Sequence, residues 1–133
     1  MKKIIFVLVW IVFIQKPLTV EAGKIRVVTT TEDLAAITKS VGGDRVQVDF
    51  IARGTQDAHF IDAKPSYILK LSRADLFVQI GLDLEIGWVP PLLMGARNAK
   101  IQQGEKGYVN ASEGIDLLDI PPGRTDRSAG DVH

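Results

Sequence analysis

Between residues 25 and 110 two kinds of segment alternate, and this exchange constrains the chain more than any other feature. Short β-branched runs take turns with stretches whose apolar residues recur at helical spacing. Ile25-Arg26-Val27-Val28-Thr29-Thr30 predicts a buried strand. Thr30 and Thr31 then offer hydroxyls for a helix N-cap, and Glu32 and Asp33 suit the positive end of the helix dipole. Leu34, Ile37 and Val41 set the expected buried face of this helix, and Gly42-Gly43-Asp44 ends it. Val46, Val48 and Phe50 alternate with Gln47 and Asp49, the period of a second strand. A loop from Ala52 to Lys64 leads to Pro65, placed for the first turn of a second helix. Its buried face is expected at Ile68, Leu69 and Leu71. Asp75 to Gly81 predicts a third strand. Glu85 to Arg97 predicts a third helix that Pro90-Pro91 must bend or restart, and Tyr108-Val109-Asn110 a short fourth strand.

The resulting order, β-α-β-α-β-α-β, predicts an α/β fold with a parallel sheet flanked by helices on both faces. Such sheets bind ligands outside the carboxyl ends of their strands. Thr29 to Thr31, Gly54 to Asp62 and Gly81 to Glu85 are therefore expected along one rim. The pattern fades from Ala111 onward, where Pro121, Pro122, Gly123, Ser128 and Gly130 dominate. We read residues 23–133 as an incomplete, apparently truncated domain.

The first 22 residues have a different character. Lys2-Lys3 precede an apolar run from Ile4 to Ile14, followed by Pro17 and by small or short side chains at Val20 and Ala22. This is the layout of a secretory signal peptide, and the run is too short for a membrane span of about 20 residues. Cleavage after Ala22 is expected, with a periplasmic mature chain starting at Gly23. Removing that segment leaves a net charge of about −2, without the basic stripe that nucleic acid requires. The chain has no cysteine. A disulfide, a thiolate metal site and a cysteine-borne lipid anchor are therefore not expected, a diffusing periplasmic protein fits better than a lipoprotein, and any metal needs His, Asp, Glu or water.

Only two histidines are present, His59 and His133. His59 lies on the expected rim, and imidazole is the commonest metal-ligating side chain. Asp57 or Asp62 could accept its second N–H and hold the ring. Taken alone, a single loop histidine is more often solvated than ligating. Asp83 and Glu85 read as carboxylates at a helix start, Trp88 as packing against the sheet, and Asp57 otherwise as a turn former.

Four local motifs shift that balance. Val28-Thr29-Thr30-Thr31-Glu32-Asp33-Leu34 resembles a strand leading into a T-T-x-x-L helix. Gly54-Thr55-Gln56-Asp57-Ala58-His59, followed by Lys64-Pro65-Ser66, resembles a G-x-D-P-H loop with P-S at the next helix. Ala74-Asp75-Leu76 through Gly81, Leu84, Glu85 and Trp88 resembles A-D-L-x-x-x-x-G-x-x-L-E-x-W. Gly130-Asp131-Val132-His133 resembles the start of a G-D-V-H-P stretch. In this order the motifs resemble those of the metal-binding receptors of zinc and manganese ABC importers, the cluster A-I or zinc-uptake receptor family. The resemblance covers nearly all of residues 23–133. It implies the N-terminal lobe of a two-lobed receptor that closes around zinc or manganese as transported cargo and delivers it to an ABC permease in the inner membrane. The complete receptor is expected to be a monomer.

By the same resemblance His59 is the first metal ligand. Ala58 departs from the usual proline, which loosens the loop without removing the ligand. His133 matches the earlier histidine of its stretch rather than the ligand a few residues on, so only His59 is carried over. The remaining ligands are expected beyond the end of the chain. No enzyme is expected, because a Ser-His-Asp order, a nucleotide-binding glycine fingerprint and a His-x-x-x-His pair are all missing. An exported adhesin or interaction domain without metal transport is the alternative reading.

Overall fold

The computed structural model describes residues 23–116. The expected signal peptide, the segment after Asp116 and His133 lie outside the described residues. Four strands, β1 (Ile25–Thr31), β2 (Val46–Ala52), β3 (Leu76–Gln79) and β4 (Tyr108–Asn110), alternate with α1 (Glu32–Gly42), α2 (Pro65–Ser72) and α3 (Val89–Ala96). Short 3-10 turns at Gly43–Arg45 and Ala99–Ile101 lead towards β2 and β4. Every strand pair is parallel, in the order β2-β1-β3-β4. The expected α/β architecture is present.

Successive strand residues face opposite ways, and the core divides accordingly. Val27, Val46 and Val78 pack with Leu34 of α1 on one face. Val28, Ile51 and Phe77 pack with Leu71 of α2 and Leu92 of α3 on the other. From β1 the chain steps to β2 on one side, then returns past β1 to lay down β3. The loops after β1 and β3 therefore leave towards opposite faces and open a crevice between the carboxyl ends of these two neighbouring strands.

The ends of α1 follow the sequence. Thr31 is its N-cap and accepts from the Leu34 N–H, while Gly43 closes it at φ 55°. Its buried face does not follow. Ile37 is 60% exposed and Val41 78% exposed, and the contact with the sheet is made by Leu34, Ala35 and Gly42. Gly42 lies so close to the Val46 side chain that a Cβ would collide with it. Small residues allow this approach, and the larger apolar pair turns outward. In α2 the expectation for Leu69 also fails. Leu71 is buried and Ile68 half-buried, but Leu69 points out.

The third strand is shorter than expected: Asp75 lies before it, and Ile80 and Gly81 lie after it. Asp75 accepts from the backbone N–H and guanidinium of Arg26, and its other oxygen accepts from Lys100 Nζ at 2.9 Å. These contacts pin the amino ends of β1 and β3 together and hold the Asp75 carboxyl far below the usual carboxylate range, the Arg26 guanidinium contributing most. The third helix is shorter too, starting at Val89 rather than Glu85. Pro90 and Pro91 occupy its first turn, where a missing N–H costs nothing. Ahead of it Gly81, Leu82 and Asp83 take positive φ, and separate turns run on to Trp88, whose φ of −137° makes it the N-cap.

Candidate metal centre

Because all four strands are parallel, Thr31, Ala52, Gln79 and Asn110 end on one side, and the loops beyond them form a single rim. Side chains tie these loops together. Glu32, at the start of α1, accepts from the Gly54 N–H at 3.0 Å and so fastens the loop after β2 to the end of β1. Thr30 Oγ1 donates to Glu85 Oε1 at 2.6 Å, linking β1 to the loop after β3. Glu85 also accepts from the Ile80 and Gly81 N–H groups at 2.8 and 3.0 Å. It is 2% exposed, so its role is to close the crevice between β1 and β3 rather than to sit at a helix start. The three segments expected on the rim are joined there.

His59 occupies the loop after β2. A turn opens the loop, with Gln56 N–H donating to the Arg53 carbonyl and Gln56 Oε1 accepting from Arg53 N–H. Asp57 follows as the organiser. Its Oδ1 accepts from the His59 backbone N–H at 2.9 Å and lies 2.7 Å from His59 Nδ1. Of the two carboxylates considered for the ring, Asp57 is placed against it. The backbone N–H of His59, followed by its ring, draws the Asp57 carboxyl below its ordinary value. An ionised carboxylate only accepts, so Nδ1 carries a proton, and in the neutral imidazole the lone pair falls on Nε2. Nε2 is shielded from solvent, and the His59 side chain is 27% exposed. Phe60 beside it is 80% exposed, with ring centroids 6.1 Å apart.

Trp88 supports the loop from below. It is 2% exposed within the core, as expected of a packing residue, yet its Nε1–H reaches the Ala58 carbonyl at 2.7 Å. The A-D-L to W motif contains both Glu85 and Trp88, but their contacts cross 55 and 30 residues of sequence and no local spacing reveals them.

The electrostatics of the rim favour a cation. Glu32, Asp33, Asp57, Asp62 and Asp83 are exposed along these loops, against Arg53 and Lys64. Arg26, Arg45, Arg73, Lys100 and Lys106 lie towards the opposite, amino-terminal edge of the strands. Among the described residues no group of three His, Cys, Asp or Glu side chains converges. The rim therefore presents one oriented imidazole within an acidic field. A cavity of about 500 Å³ opens beside β4, lined by Gln79, Asp83, Pro90, Met94, Tyr108 and Asn110. His59 is not part of its lining.

The family described as the zinc-uptake complex component A, periplasmic (ZnuA), matches residues 27–133. The metal ABC transporter substrate-binding lipoprotein FimA of Streptococcus parasanguinis is 35% identical over 100 residues, which is 73% of this chain and 31% of that protein. The manganese ABC transporter substrate-binding lipoprotein PsaA of Streptococcus pneumoniae is 34% identical, again over 73% of this chain and 31% of its own length. The metal-dependent lipoprotein YcdH from Bacillus subtilis superposes with a TM-score of 0.58 at 33% identity, covering 72% of this chain and 34% of that structure. The chain thus spans about a third of the length of the curated relatives it matches.

Proposed function

The chain belongs to the ZnuA family of periplasmic zinc-uptake components, and from that premise we propose that it is the N-terminal lobe of an extracytoplasmic receptor for a divalent metal. The complete receptor captures zinc or manganese, closes, and hands the ion to an ABC permease in the inner membrane. Metal is cargo in this reading, and the role is binding rather than catalysis. Residues 1–22 direct export, and the complete mature receptor works in the periplasm as a monomer.

One observation carries the proposal. His59 stands at the carboxyl end of the sheet with Nδ1 engaged by Asp57, so Nε2 of the neutral ring has the lone pair a metal requires. A single imidazole is not a site, since open zinc sites take three protein ligands. The other ligands come from beyond the described residues and from a second lobe, and lobe closure brings them together.

The test is a melting experiment on the complete mature receptor with zinc, manganese or chelator. Binding to the folded state raises stability by roughly 2.7 kcal/mol at a hundredfold excess over the dissociation constant. The rise should vanish in His59→Ala, and the larger of the two shifts identifies the preferred metal. No shift with either metal overturns the reading.

A further inference from the structure

Trp88 is buried, but its polar edge is directed at the rim. A buried indole N–H needs an acceptor, and here the acceptor is the carbonyl of Ala58, the residue immediately before His59. The other ties on the loop are more exposed. Glu32 holds Gly54 in a solvent-facing hydrogen bond, and Asp57 itself is exposed. Among the described residues, the indole contact is the hydrogen bond that reaches the loop from the core, where Ile61 also packs.

Trp88 is also fixed in its own right. Its backbone N–H donates to the Glu85 carbonyl at 3.1 Å, and the Glu85 carboxylate is held by Thr30, Ile80 and Gly81. A continuous series of fixed groups therefore runs from the ends of β1 and β3 through Glu85 and Trp88 to the peptide that carries His59. Ala58 stands where the resembling motif has proline. The stiffness a proline ring gives through its locked φ is absent at this position, and the indole tie restrains the same residue.

We propose that Trp88 is a positioning residue for metal capture: its indole N–H fixes the Ala58 carbonyl and thereby the direction of His59 Nε2. The inference rests on the reading of His59 as a metal ligand, but its first consequence does not involve metal. Loss of the N–H should loosen the loop even in the metal-free receptor.

The experiment compares the complete receptor with Trp88→Phe, and with a variant carrying benzothienylalanine at position 88. The latter keeps the two-ring shape and lacks only the N–H, so it remains informative if the phenylalanine variant folds poorly. In the metal-free proteins, NMR order parameters at Ala58 and His59 should fall from about 0.85 towards 0.6 in both variants. Zinc and manganese affinity, measured by competition with a chromophoric chelator, should fall at least about tenfold, as for other groups that orient a ligating histidine. Ile101→Val, a core change away from the rim, should lower the melting temperature and leave affinity unchanged. An equally ordered loop without the N–H overturns the positioning role, and so does unchanged affinity in a benzothienylalanine variant that folds. If His59→Ala binds metal as tightly as the parent, the ligand reading fails instead, and the order parameters still decide whether Trp88 holds the loop.

Discussion

Thr30 Oγ1 donates to Glu85 Oε1 at 2.6 Å across 55 residues of sequence, and both residues are buried where the chain switches from one face of the sheet to the other. The same carboxylate accepts from Ile80 and Gly81, so three donors from two strand ends converge on it. A buried carboxylate is tolerated only when hydrogen-bonded in this way. The pair closes the crevice that other parallel α/β sheets keep open for ligands.

Removing one member should therefore be uneven in effect. Thr30→Val deletes one donor and should cost about 1–3 kcal/mol, because Glu85 stays buried with a weaker partner set. Glu85→Ala strands two backbone N–H groups as well as the hydroxyl and should cost more. Urea melts of the two single variants and the double variant check this, with a coupling energy of about 0.5–3 kcal/mol expected for groups in one network.

The Asp57 contact predicts a defect in metal binding rather than in folding. Asp57 is exposed, and among the described residues its hydrogen bonds stay within its own loop. Asp57→Ala should leave the melting temperature of the metal-free receptor nearly unchanged and weaken metal affinity about 10–100-fold, the usual effect of removing the group that orients a ligating histidine. Isothermal titration together with a metal-free melt separates the two effects.

The acidic rim predicts a dependence on ionic strength. Exposed like charges around an approach path raise the on-rate of an opposite charge, and salt screens that field over about 8–10 Å. Stopped-flow association of zinc should slow as salt is raised. Replacing Asp62 and Asp83, neither of which is placed as a ligand, by asparagine should lower the rate at low salt and flatten its salt dependence. Dissociation should change little.

The order of strands and helices was legible because β-branched runs and helical spacing are local signals. Topology alone then brought Thr29 to Thr31, Gly54 to Asp62 and Gly81 to Glu85 to one edge. What stayed hidden depends on contacts distant in sequence. Periodicity chose Ile37 and Val41 as the inner stripe of α1, but Gly42 against Val46 decides the rotation of that helix. Residues 82–88 form separate turns, and Trp88 at φ −137° is the N-cap that sets the start of α3 at Val89, which no side chain in this stretch announces. For His59 the sequence offered two aspartates as ring partners, and the loop turn places Asp57 against the ring. Trp88 read correctly as packing, but its hydrogen bond to Ala58 requires the fold.

Asp75 predicts how the folded chain responds to acid. Its carboxyl is held far below the usual range, first by hydrogen bonding to the Arg26 guanidinium and then by Lys100 and the Arg26 backbone N–H. A carboxyl with a lowered folded-state value contributes stability that is complete above its unfolded value and is lost as pH falls through the folded one. The contribution should thus be present at pH 7 and begin to decline below about pH 4. Asp75→Asn removes the charge that Arg26 and Lys100 share. The variant should be less stable than the parent at neutral pH, and the two should converge as the acid limb is descended. Parallel urea melts from pH 7 to pH 2 test this, and a constant gap across the range would mean that Asp75 acts by shape rather than by charge. Because Arg26 and Lys100 lie at the edge away from His59, the variant should retain its metal affinity, which separates the stability of the lobe from the chemistry of its rim.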